Sequence, residues 1–297
     1  MSDNAVDLRR KIGGAGDLQS VVRAMKALAA SSIGQYEKSV SALTDYYRTV
    51  ELGLAVCFRQ IGPTPLLAES DGQTAGVKFG AVVFGSDQGL VGQFNDVIAD
   101  YALKKLSALP GKPTVWAVGE RVQARLADAG LVPAGLYSVP NSVQEITPLI
   151  GKILVDGGNI TGLGETGELH LFYNSPASGQ GYSPVSQRLL PLDETWLRKL
   201  ALLPWPSENL PEVFGSDIET LRTLIREYLF ISMFRACAES LASENASRLV
   251  AMQRAEKNID ELLEELNRTF HRLRQSNIDE ELFDVISGFE ALNLTQR

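Results

Sequence analysis

The sequence predicts a mixed α/β protein: a long antiparallel coiled coil of N- and C-terminal helices with an inserted Rossmann-like open α/β domain. Three observations lead there. Both ends of the chain run long distances without proline, with apolar residues at alternating steps of three and four. The middle switches to short apolar runs of strand length that alternate with helical stretches. Segments rich in Gly and Pro separate the middle from the two ends.

The N-terminal helix is expected over residues 1–58. Its seam is Tyr36, Val40, Leu43, Tyr47, Val50 and Leu54. Upstream, Leu18, Val22, Met25, Ala29 and Ser32 continue the spacing with smaller residues, which let a partner helix come close. The run Gly13, Gly14, Ala15, Gly16 interrupts it, and each glycine costs roughly 1 kcal/mol of helix propensity relative to alanine, so a loosened turn is expected there. A linker over 59–76 follows.

The inserted domain is expected over 77–200. Residues 77–85 ("VKFGAVVFG"), 114–118 ("TVWAV") and 168–173 ("ELHLFY") read as strands, and 95–107, 120–129 and 143–156 as helices. That alternation implies an open, largely parallel sheet. Residues 157–167 are a Gly-rich loop within it. A second linker, 201–213, holds Pro204, Pro206 and Pro211.

The C-terminal helix is expected over 214–297, with a seam of Ile218, Leu221, Ile225 and Leu229, then Ile259, Leu262, Leu266, Phe270 and Leu273. At 1.5 Å per residue the two helices would measure on the order of 80 and 120 Å, lengths that usually mean a coiled coil. Charge suggests a register in which Arg9, Arg10 and Lys11 face Asp260, Glu261 and Glu264, with partner numbers summing to about 272. Independent solvated faces are the alternative. That register sets Cys57 and Cys237 roughly 30 Å apart, too far for a bridge.

Composition narrows the functional classes. Of 297 residues 44% are hydrophobic, enough for a sizeable core. Acidic residues outnumber basic ones by 36 to 28, giving a formal charge of -8, which argues against a nucleic-acid binder that neutralises phosphates. Two isolated cysteines suggest neither a disulfide framework nor a zinc site, and a reducing compartment. Residues 1–10 lack the apolar run of a signal peptide, and no stretch approaches ~20 apolar residues, so membrane contact is expected only through partners.

Catalytic chemistry is sparse. His170 and His271 lie apart from other ligand types and read as structural or surface residues. No G-x-S-x-G, H-E-x-x-H or G-x-x-x-x-G-K-[ST] occurs. The nearest phosphate-loop candidate, "GSDQGLVGQFN" at 85–95, does not match G-x-G-x-x-G and reads as a tight turn with close backbone packing; nucleotide binding there is the weaker alternative. Acid pairs Glu264 with Glu265 and Glu280 with Glu281 lie on long helices without a pocket. No catalytic residue, cofactor or metal is predicted.

The C-terminal helix carries "LASENASRLVAMQRAEKN" (241–258) and "LRQSNIDEELFDVISGFEAL" (273–292). Both blocks resemble signatures of the gamma subunit of F-type ATP synthases. "VVRAMKALAASS" (21–32) and "SDQGLVGQFN" (86–95) resemble that family's first-helix and strand-turn-helix motifs, so the resemblance spans the chain in order. It implies a non-catalytic central-stalk rotor whose coiled coil enters a catalytic head and whose α/β domain rests on a membrane ring. The implied partners are the alpha and beta subunits of the head, the epsilon subunit and the membrane c-ring, at the cytoplasmic face of the plasma membrane.

Carried over by position, Met25 and Arg248 match residues facing the beta subunits at the neck of the head. Gln275 and Glu281 match polar residues that couple the shaft to the same collar, and Asp279 stands where the family more often has threonine. Arginine offers a rigid fork for acidic loops, and Leu282, Phe283, Ile286, Phe289 and Leu292 suit a hydrophobic sleeve. Simple seam packing for Met25 and a solvated charge for Arg248 are the plainer readings. Val213 and Phe214 fall at the foot, toward the ring. Departures from the family pattern at Ser31 to Ile33, at Arg254 to Asn258 and in the Gly13 to Gly16 run point to a divergent, accessory-type branch. The chloroplast-type dithiol insertion is missing, which argues against redox switching. Two other classes compete: a free-standing coiled-coil interaction protein with an α/β head, and a nucleotide-dependent α/β enzyme with a helical arm.

Overall fold

The computed structural model describes residues 3–61, 78–109, 111–157, 167–177, 181–192, 194–209, 211–212 and 216–295. Helix α1 spans Asp3–Ile61 (59 residues). Then come β1 (Lys78–Phe84), α2 (Phe94–Leu106), β2 (Thr114–Val118), α3 (Glu120–Asp128), β3 (Gly135–Tyr137), α4 (Val143–Asp156), β4 (Gly167–Ala177), β5 (Gly181–Leu190) and α5 (Glu194–Ala201). Helix α6 closes the chain over Asp217–Thr295 (79 residues). Two compact units result, one from Met1–Leu28 with Leu249–Arg297, the other from Ala29–Arg248.

In the larger unit the sheet order is β3-β2-β1-β4-β5. Strand β1 pairs in parallel with β2 and β4, and β2 with β3, while β5 returns antiparallel to β4. Strand side chains alternate between faces, and both faces are covered. Val82, Phe84, Trp116, Val118, Leu169 and Leu171 point toward α4 and the adjoining parts of α1 and α6. Ala81, Val83, Val115, Ala117 and Phe172 pack under α2 and α3 through Ile98, Ala102, Val122 and Leu126. Two-sided burial is why these strands read as continuous apolar runs.

Within this unit the expected seam is present: Tyr36, Val50 and Leu54 are buried, and Val40, Leu43 and Tyr47 pack against them. Leu221, Ile225 and Leu229 meet them from α6, and the Tyr47 and Tyr228 rings lie 6.1 Å apart. Ile218 is instead exposed, because α6 begins at Asp217 and its first turn lies outside the packed stripe. Cys57 and Cys237 are both buried free thiols.

The smaller unit pairs the start of α1 with the distal part of α6, and here the expected seam is half-buried at Val22, Met25, Ile259, Leu266, Phe270 and Leu273 but fails at two positions. Leu18 and Leu262 are exposed, at 60% and 47%. Ala5, Ala15 and Met252 are the buried residues of this unit's pattern, in step with Gln19 and Lys26 on α1 and with Glu256 and Leu263 on α6. Gln19 donates to Asp260, and Arg23 and Lys26 both hold Glu256. The charge-based register is therefore displaced by about one heptad. Arg10 and Lys11 fold back onto Asp7 at 2.7 and 3.0 Å, while Glu261 and Glu264 pair with Lys257 and Arg268 on their own helix. Local i,i+3 and i,i+4 pairs satisfied the charges on which the interhelical register was built. Helix α1 also runs unbroken through Gly13 to Gly16.

Candidate functional site

The turn at the C-terminal end of β1, residues 85–93, is built from its own hydrogen bonds. Ser86 N–H donates to Asn95 Oδ1 at 2.9 Å, and Asn95 Nδ2 returns a bond to Ser86 Oγ at 2.8 Å. Ser86 Oγ donates onward to the Gln88 carbonyl at 2.8 Å. Asp87 accepts from the N–H of Glu120, at the N-terminus of α3, and from the N–H of Val139, at 3.0 and 2.8 Å. A carboxylate thus occupies the helix N-terminus that a phosphate would use. The glycines serve close approach: a Cβ on Gly85 would fall 2.4 Å from Val122, and one on Gly119 (φ +114°) 2.8 Å from the Ser86 backbone. This geometry fits the tight-turn reading.

The turn and the β4 end are fastened to α6. Ser247 Oγ donates to the Val91 carbonyl at 2.6 Å. Ser175 Oγ donates to Glu239 Oε2 at 2.7 Å, and Arg235 holds the other oxygen at 2.7 Å. Asn174 Nδ2 bonds the Phe94 carbonyl at 3.0 Å, tying β4 to the start of α2. The α6 stretch between them buries Glu239, Ser240, Ser243, Glu244 and Asn245, an unusually polar face for a helix in a core.

Arg248 lies in this stretch. Its Nη2 donates to Glu244 Oε1 at 2.7 Å, with only 14% and 6% of the two side chains exposed, so the solvated-charge reading of Arg248 does not hold. Burial pushes the Glu244 carboxyl above the usual carboxylate range; Arg248 pulls it back and Asp87 adds to the rise. Tyr36, across on α1, is pushed up to about 12, chiefly by burial.

Met25 is half-buried in the smaller unit, between Arg23 and Lys26 in sequence. Lys26 and Arg23 hold Glu256 below the usual carboxylate range. Gln275, Asp279 and Glu281 are exposed on α6, as are Leu282, Phe283 and Ile286. Val213 and Phe214 lie outside the described residues, as do the side chains of Phe289 and Leu292. The five described positions thus do not converge on one pocket within either unit. His170 sits on β4 with Nε2 3.0 Å from Glu168, and among the described residues no cluster of metal-ligating side chains forms.

Sequence reasoning gave no individual role to Glu244, Asp87, Asn95 or Ser247, although it read the segment holding Asp87 and Asn95 as a tight turn. Glu244 was within reach, since a glutamate four residues before an arginine is a standard helical pair. Asp87 and Asn95 carried no comparable signal, because their partners are backbone groups brought near by the sheet.

Fold and site together define a protein of two long helices with an α/β insert between them in the chain. A family profile described as ATP synthase matches residues 4–292. The ATP synthase gamma chain of Desulfitobacterium hafniense is 28% identical over 97% of this chain and 99% of its own length. That of Hyphomonas neptunium is 29% identical over 96% and 98%. Among solved structures, a chain of the Euglena gracilis mitochondrial ATP synthase rotor aligns over 93% of this chain and 99% of its own, at TM-score 0.60 and 17% identity, a likeness of fold. A second Euglena gracilis assembly gives TM-score 0.63, with 99% of this chain and 96% of that one covered. The chain belongs to the ATP synthase family, as a gamma chain.

Proposed function

We propose that the chain is the central-stalk rotor of an F-type ATP synthase and couples ion flow through a membrane ring to ATP synthesis or hydrolysis in an alpha/beta head. The observation that carries this is the family match across residues 4–292 on a chain whose two long helices flank an α/β insert. Its role is mechanical and non-catalytic: an asymmetric shaft presents different faces to successive beta subunits and biases each between states of different nucleotide affinity. In this reading 1–58 and 214–297 form the shaft, 77–200 the foot, and 59–76 and 201–213 the connections. Met25 and Arg248 meet the head at its neck, Gln275, Asp279 and Glu281 at its collar, and Val213 and Phe214 lie toward the ring. Epsilon and the c-ring are the partners at the foot.

Among the described residues no helix is long and apolar enough to cross a membrane. The protein acts as a peripheral component at the cytoplasmic face of the plasma membrane, reaching lipid only through its partners. Arg248→Ala and Gln275→Ala in the assembled complex test the assignment. Both are expected to slow or uncouple ATP turnover, and unchanged coupled rates in both would remove these residues from the mechanism.

A further inference from the structure

The Glu244–Arg248 pair makes one hydrogen bond where its groups have the capacity for two. Arg248 Nη2 meets Glu244 Oε1 at 2.7 Å, while Glu244 Oε2 and Arg248 Nε are buried without a hydrogen-bond partner among the described residues. A fork–fork pair would consume the guanidinium edge. A single point of attachment restrains its direction and leaves donors unspent.

Among the described residues, Glu244 is the compensating anion that touches this cation. The titratable or charged groups facing Glu244 are Arg248 and Cys237 on α6, Tyr36 on α1 and Asp87 in the turn. Tyr36 and Cys237 are both raised by burial and stay neutral at physiological pH. The carboxylate of Asp87 is spent on the N–H groups of Glu120 and Val139. A cation this enclosed needs its counter-charge, and removing that partner leaves a buried charge uncompensated and unrestrained at Nη2.

We infer that Glu244 is a positioning residue for Arg248: by holding Nη2 alone, it turns the Nη end of the guanidinium toward an acidic group of the catalytic head, while the buried Nε stays inside the unit. This rests on the reading of Arg248 as a head-facing residue. Glu244 touches no nucleotide and acts only through Arg248. Its protonation replaces an ion pair with a weaker bond from the guanidinium to a neutral carboxyl, so the aim loosens on the acid side.

The test is a double-mutant cycle on ATP hydrolysis by the complete complex, with Glu244→Ala, Arg248→Ala and the pair. Glu244→Ala should lower turnover about tenfold, as expected for loss of a hydrogen bond to a charged group. The double variant should match Arg248→Ala. Glu244→Gln, close in shape, keeps the cycle readable if the alanine variant does not assemble. Its turnover relative to the unaltered complex should be lowest at alkaline pH and rise toward one as pH falls and Glu244 itself takes up a proton. Additive losses, a pH-independent ratio, or normal turnover in Glu244→Ala beside a slow Arg248→Ala would each overturn the positioning role. Normal turnover in Arg248→Ala would overturn the reading beneath it as well, and is recognisable as that separate failure.

Discussion

Glu244 and Glu256 stand on the same helix, each paired with an arginine, and they titrate in opposite directions. Glu256 lies in the smaller unit, where Lys26 and Arg23 lower its carboxyl. Glu244 lies in the larger unit, where burial outweighs the attraction of Arg248 and raises it. Glu256 has two cations and little desolvation, whereas Glu244 has one cation against burial and the nearby Asp87, and burial is the largest cause of its rise. The difference separates two kinds of surface on α6: a polar face clamped beneath an α/β domain, and a shallow seam whose charges are satisfied near solvent. The clamp holds by burial and hydrogen bonds, the seam by small residues and ion pairs.

The largest effect should come from the clamped unit's core. Leu171 is fully buried between sheet and helices, and Leu171→Ala should cost about 2–5 kcal/mol in urea unfolding. A cost near zero would mean that the packing of that face is not what holds the unit. Next comes Asn95→Ala, which removes both bonds to Ser86 and strands a buried N–H. A loss of about 1–3 kcal/mol is expected, and an unchanged melting temperature would remove the turn from the clamp.

The pH dependence sharpens the contrast. Glu256, with its folded value lowered, contributes stability above its ordinary 4.5 that is lost as pH falls through the folded value. Glu244, with its folded value raised, contributes on the acid side, and that contribution is lost as pH climbs from 4.5 through the folded value. Melting curves across this range should therefore show Glu256→Gln losing ground to the unaltered protein as pH rises and Glu244→Gln gaining it. Slopes of the same sign would collapse the comparison. The smallest effect belongs to Glu256→Gln at neutral pH, a slight drop in melting temperature that added salt should erase, since exposed pairs are screened.

How far the sequence reached follows the same division. Strands β1, β2 and β4 were legible because both faces are buried and their runs are apolar. Strand β5 was not: it is an edge strand with an exposed-to-intermediate face, and it carries Pro184, which edge strands tolerate. The three-residue β3 was too short to leave a period. On the helices, large residues marked the seam from Tyr36 to Leu54 correctly. Upstream, Val22, Met25, Ala29 and Ser32 were also read correctly, whereas buried Ala5 and Ala15 left no signal and exposed Leu18 misled. The interhelical register failed because Arg10 and Lys11 had nearer partners in Asp7. Arg248 was singled out through the family block, whereas the carboxylate that holds it was left unread in the same block.

The claim that this chain is a shaft is tested most directly by watching it turn. Val132 is 78% exposed on the α/β domain, and both native cysteines are buried, so Val132→Cys gives a selective attachment point for a bead. With the alpha/beta head fixed to a surface and ATP supplied, the bead should rotate continuously in one direction. ATP hydrolysis beneath a stationary bead would contradict the account.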